Sequence, residues 1–124
     1  MDRQDLQLVR NAPLPVIGWS RDVPRIDPAT LGQWLDDGET FLVDVREPHE
    51  FEAARIAGSF LVPMSRLDTT SFPRLANIKT VLVCRTGARA IAVGERLQEA
   101  GRNDLFILGG GLEAWTASGF ETED

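Results

Sequence analysis

Three short apolar runs punctuate the chain: residues 41–45 (FLVDV), 80–84 (TVLVC) and 105–108 (LFIL). Each is too short for an ordinary helix and apolar almost throughout, the pattern of a strand covered on both faces. Helix signals fall between them. Asp27 followed by Pro28 supplies an N-cap and a first-turn proline; Leu31, Trp34 and Leu35 then recur at helical spacing until Gly38 stops the helix. Residues 88–100 read as a second helix, with Ile91, Ala92, Glu95, Leu97 and Gln98 on its amphipathic face and Gly101 at its C-cap. Shorter helices are expected at 47–54 and around 112–117, a further strand at 59–62 ended by Pro63, and a short helix with loop over 64–75. Strands alternating with helices at this spacing imply an α/β fold: an open, mainly parallel sheet of about five strands with helices on both faces.

A chain of 124 residues fits one domain, and 43% hydrophobic residues suffice for one core. The domain is expected over residues 23–120. An arm precedes it over residues 1–22, broken by Pro13, Pro15 and Gly18 with Ile17 and Trp19 anchoring its end, and an acidic tail follows at 121–124. The formal net charge of −6 disfavours nucleic acid and an anionic membrane as partners, since both require phosphates to be neutralised. One cysteine excludes an internal disulfide, a CxxC redox pair and a zinc site built from several thiolates. The expectation is a site with no metal and no cofactor. No run of about 18 apolar residues occurs, and the first fifteen residues carry acids and lack a hydrophobic signal core, so a cytoplasmic location is expected.

That single cysteine, Cys84, ends the second apolar run in VLVCRTGARA. Ligands of open α/β sheets bind beyond the carboxyl ends of the strands, where Cys84 would lie, directly before a helix. Loop amides can form an anion nest there, the helix N-terminus adds partial positive charge, and Arg85 and Arg89 add formal charge. All three favour a sulfur anion and mark Cys84 as a candidate nucleophile. Gly87 lets the backbone curl around the sulfur. A strand-end cysteine taken alone is more often just a buried small apolar residue. The two arginines reverse that reading, because cations beside a buried strand end call for an anionic partner.

The loop Cys84-Arg85-Thr86-Gly87-Ala88-Arg89 resembles the active-site loop of the rhodanese (sulfurtransferase) domain. Three further stretches are similar to that family in the same order: DVREPHEF (44–51), RIAGSFLVPMSRL (55–67) and LGGGLEAWTASGF (108–120). The resemblance spans about residues 23–120 and implies a rhodanese-like fold with Cys84 as catalytic sulfur carrier. It implies backbone amides of Arg85, Thr86, Gly87, Ala88 and Arg89 binding the sulfur, and the Arg85 and Arg89 side chains attracting a small anionic sulfur donor. Thiosulfate would leave a persulfide on Cys84, and cyanide, a cellular thiol or a protein acceptor would then remove the sulfur. An external acceptor is needed, since the chain has no second cysteine. Similar phosphatases and arsenate reductases use a C-x5-R loop, whereas here the spacing is C-x4-R. Ala90 departs from the family pattern, where a serine or threonine is common, which bears on turnover more than on reaction type. The alternatives are a noncatalytic or sulfur-relay module that binds a partner protein and, behind it, a phosphatase or arsenate reductase.

Outside the loop, structural roles are expected. Asp44 is assigned an ion pair with Arg55, His49 an exposed place at a helix start, and Gly109, Gly110 and Gly111 a tight strand-to-helix turn beside the Cys84 loop.

Overall fold

The sheet expected from the apolar runs is present in the computed structural model, which describes residues 22–124. Its strands are β1 (Arg25–Ile26), β2 (Thr40–Asp44), β3 (Phe60–Leu61), β4 (Lys79–Val83) and β5 (Leu105–Leu108). They lie in the order β1-β5-β4-β2-β3, with every neighbouring pair parallel. The helices are α1 (Pro28–Asp37), α2 (Pro48–Ala53), α3 (Ala88–Glu99) and α4 (Gly111–Ala117), with a 3-10 turn at Met64–Arg66. The expected arm lies, but for Asp22, outside the described residues. Among the described residues no helix is long and apolar enough to cross a membrane.

Local chemistry sets the helix ends. The Asp27 carboxylate accepts the Thr30 N–H at 2.8 Å and so satisfies one of the free donors of the first turn of α1. Gly38 closes that helix in the left-handed conformation, φ 74°.

The strands alternate their side chains between two cores, one on each face. Val43, Leu82 and Ile107 join Ala90, Val93 and Leu97 of α3 on one face. Leu42, Val81, Val83 and Leu108 join Leu31 of α1 and Trp115 of α4 on the other. The period of two along β4 carries Cys84 onto the α3 face with Leu82. It stands at the carboxyl end of the central strand, between Asp44 at the end of β2 and the glycine turn after β5.

One sequence expectation needs correction here, and one strand was not foreseen. The buried face of α3 is Ala90, Val93, Gly94 and Leu97, not the set centred on Ile91 and Ala92. Small residues line it because the helix lies close on the sheet: a Cβ on Gly94 would stand 3.1 Å from Ile107 Cδ1. The strand β1 had no sequence signal of its own; its two residues pair with Ile107 and Leu108 of β5. The acidic tail is also docked by its backbone. Arg55 and Glu123 exchange two N–H···O bonds of 2.8 Å, and Trp115 Nε1–H donates to the Glu121 carbonyl at 2.9 Å.

Candidate active site

The peptide from Cys84 to Arg89 passes from β4 to α3 in a tight arc. Gly87, at φ 109°, stands at the N-cap of α3, a backbone conformation open to glycine and strained for other residues. The cap has no side-chain oxygen. The Cys84 sulfur takes that place, accepting the Gly87 N–H at 3.0 Å and the Ala90 N–H at 3.4 Å. The Ala90 amide is one of the first-turn donors that a helix cannot satisfy internally. The sulfur therefore sits where backbone dipoles favour negative charge, and Cys84 is only 1% exposed.

The loop is held from outside by α4. Leu112 N–H donates to the Cys84 carbonyl at 2.8 Å, and Glu113 N–H to the Arg85 carbonyl at 3.0 Å. A trans peptide points its N–H opposite to its C=O, so the amides of Arg85 and Thr86 face away from α4. The approach requires glycine: a Cβ on Gly111, at φ 63°, would lie 2.5 Å from both carbonyl oxygens. The tight turn expected at residues 109–111 is found in this role, beside the Cys84 loop.

Both loop arginines meet carboxylates of the chain itself. Arg89 makes a bidentate pair with Glu50 of α2, Nη1 to Oε1 at 2.6 Å and Nη2 to Oε2 at 2.9 Å. Those hydrogen bonds pull Glu50 down to about 2, against the opposing effect of its burial. The same contact raises Arg89, and the nearby Cys84 and Asp44 groups add to that rise. Arg85 is 67% exposed and pairs with Glu113 at 2.9 Å. Thr86 and Ala88 are exposed along the loop, while Gly87 is buried.

Asp44 does not pair with Arg55. Its carboxylate binds Arg46, with the backbone N–H at 2.9 Å and Nη2 at 2.8 Å, both residues being buried. The bend after β2 returns Arg46 onto Asp44, and Arg46 also donates to the Ala54 carbonyl at 2.7 Å. Arg55, beyond α2, turns instead to the C-terminal segment, 3.5 Å from the Glu123 carboxylate. His49 is exposed in the first turn of α2, as its neighbours suggest.

Sequence reasoning did not single out Glu50 or Glu113 as parts of the site. For Glu50 a local signal exists: Glu47 and Glu50 have capping-box spacing, and Glu50 Oε1 accepts the Glu47 N–H at 3.0 Å. Its reach to Arg89 has no local signal. Among the described residues, no group of three or more His, Cys, Asp or Glu side chains is placed to hold a metal ion.

Residues 27–118, from the first helix cap to the end of α4, match the rhodanese-like domain. The chain belongs to the rhodanese-like domain family. It is 37% identical over 97 residues to an uncharacterised protein, slr1261, of Synechocystis, covering 78% of this chain and 54% of that protein. It is 37% identical over 93 residues to MoeZ of Mycobacterium tuberculosis, a probable adenylyltransferase/sulfurtransferase, covering 73% of this chain but 24% of MoeZ. Among solved structures, the thiosulfate sulfurtransferase of Pseudomonas aeruginosa superposes with a TM-score of 0.71 at 31% identity, covering 92% of this chain and 21% of that one. This rhodanese-like chain thus spans about half of the first relative and about a quarter or less of the other two. Such likeness supports a role of sulfurtransferase type for the domain.

Proposed function

We propose that this domain moves sulfane sulfur from a small anionic donor of the thiosulfate type, through a persulfide on Cys84, to a thiophilic acceptor. The observation that carries the reading is the Cys84 sulfur held by the Gly87 and Ala90 amides at the N-terminus of α3. In the first step the Cys84 thiolate attacks the outer sulfur of thiosulfate. An S–S bond forms to Cys84, the bond to the sulfonate sulfur breaks, and its electron pair leaves with sulfite. In the second step cyanide or a thiolate attacks the terminal sulfur and returns Cys84 as the thiolate. Both steps pass charge across the same amides, and preorganised donors stabilise such anions without reorganising. Arg85, exposed at the rim, is the better placed loop cation to meet an incoming donor, since Arg89 is bound on both terminal nitrogens.

The test is thiocyanate formation from thiosulfate and cyanide. Wild type is expected to be active and Cys84→Ser inactive, and thiosulfate is expected to add the mass of one sulfur atom to wild type alone. Activity retained in Cys84→Ser would remove Cys84 from the reaction. A chain that takes up no sulfur from thiosulfate or any other sulfane donor would be a partner-binding module instead, and steady phosphate release from an aryl phosphate would place it with the phosphatases.

A further inference from the structure

The charged groups around Cys84 come from five elements, and they come in pairs. Arg85 in the loop meets Glu113 on α4, Arg89 on α3 meets Glu50 on α2, and Arg46 after β2 meets Asp44 at its end. Of the three, Arg89–Glu50 is the pair whose cation feels the Cys84 charge. It is two-thirds or more buried on both sides, 33% and 22% exposed, where Arg85–Glu113 is mostly in solvent. Glu50 is itself fixed, because the oxygen that binds Arg89 Nη1 also takes the Glu47 N–H. Beyond it the Arg46 charge acts on Glu50, and the Cys84 and Asp44 groups act on Arg89.

We propose that Glu50 is the positioning and charge-setting residue of the Cys84 site: it pins Arg89 at the loop and cancels its charge, leaving the backbone amides to govern the sulfur. This deepens the sulfurtransferase reading, since it rests on Cys84 being the nucleophile. A purely structural Glu50 would staple α2 to α3, and its loss would lower stability without changing what the sulfur attracts. A charge-setting Glu50 does more. Glutamine at position 50 retains hydrogen-bonding capacity yet leaves the Arg89 charge uncompensated beside the sulfur.

The test compares two alkylating reagents of nearly equal size, neutral iodoacetamide and anionic iodoacetate, at Cys84 in low salt. Glu50→Gln is expected to raise the iodoacetate-to-iodoacetamide rate ratio by roughly threefold or more, threefold being the scale of one unit charge at about 6 Å under full water-like screening. It is also expected to move the midpoint of the iodoacetamide pH–rate profile downward. Arg89→Ala is expected to lower the ratio, and Arg89→Ala combined with Glu50→Gln to bring it back towards wild type. Glu113→Gln, in the exposed pair, is expected to move the ratio less. Folded Glu50→Gln protein, by circular dichroism, with an unchanged ratio and midpoint would overturn the proposal. If that variant does not fold, an unchanged ratio in Arg89→Ala overturns it equally, as does a thiol that resists both reagents. The sulfurtransferase reading fails on a separate measurement, the absence of a sulfur adduct after treatment with sulfane donors.

Discussion

Gly111→Ala separates two reasons for a glycine and tests how the Cys84 loop is supported. Gly111 and Gly38 both have positive φ, 63° and 74°, so alanine at either costs about 1 kcal/mol of left-handed backbone strain. A Cβ at Gly38 meets nothing within 4 Å, whereas at Gly111 it stands 2.5 Å from the Cys84 and Arg85 carbonyl oxygens. Backbone atoms cannot step aside as a side-chain tip can. Helix α4 must retreat, and the bonds from Leu112 N–H and Glu113 N–H, at 2.8 and 3.0 Å, lengthen or break. At about 1 kcal/mol for each, Gly111→Ala costs about 3 kcal/mol in all, roughly 2 more than Gly38→Ala. Urea unfolding followed by tryptophan fluorescence measures both variants. Peptide planes freed from α4 also lose their orientation, so thiocyanate formation is expected to fall roughly tenfold or more in Gly111→Ala and to stay near wild type in Gly38→Ala. Equal stability of the two variants, or full activity in Gly111→Ala, would refute the claim that α4 holds the loop.

Three further outcomes follow from the ion pairs. Glu50 is depressed from its ordinary value to about 2, so its pairing stabilises the fold fully above pH about 4.5 and is lost as pH falls towards 2. The stability gap between wild type and Glu50→Gln, on the order of 1–2 kcal/mol after solvent screening, is expected to close over that window in denaturant titrations at stepped pH. Arg46→Met strands the buried Asp44 carboxylate and is expected to cost about 3–5 kcal/mol, against about 1 kcal/mol or less for Arg55→Ala, read from urea midpoints. The reverse order would restore Arg55 as the partner of Asp44. Arg85→Ala is expected to raise the KM for thiosulfate severalfold with little change in stability, and Glu113→Gln to lower it; a KM unmoved by either substitution removes Arg85 from donor recruitment.

The parts of this fold that follow a local rule were legible in the sequence. Central strands announce themselves because burial on both faces leaves few polar positions, Asp44 and Thr80 being the buried exceptions, and α1 because Asp27, Pro28 and Gly38 each act within one turn. The position of Cys84 follows from these, since a parallel strand must hand over to its helix at the carboxyl edge. Where the local rule gave way, packing distance or long-range pairing decided. Hydropathy favours Ile91 over Gly94 as a buried residue of α3, yet a close helix–sheet contact selects the residue with no side chain. A two-residue strand such as β1 is too short to carry any period. Asp44 had two arginines to choose from, and the bend at Arg46, invisible in composition, chose the nearer. Glu50 and Arg89 are 39 residues apart, and only the packing of α2 beside the loop joins them. The anion sought for the loop arginines is thus provided in part by the fold itself.

The docking of Glu123 on Arg55 gives the site a closed mechanical circuit. From the Cys84 carbonyl the path runs to Leu112, along α4 to Phe120 and Glu123, and across to Arg55. It then returns through α2 to Glu50, Arg89 and the start of α3, where the sulfur caps the helix. Each side of the loop is therefore braced by a different helix, and the last residues of the chain tie those two braces together far from the sulfur. Two separate routes of hydrogen bonds and chain thus connect the Arg55–Glu123 link to the thiol, one through each helix.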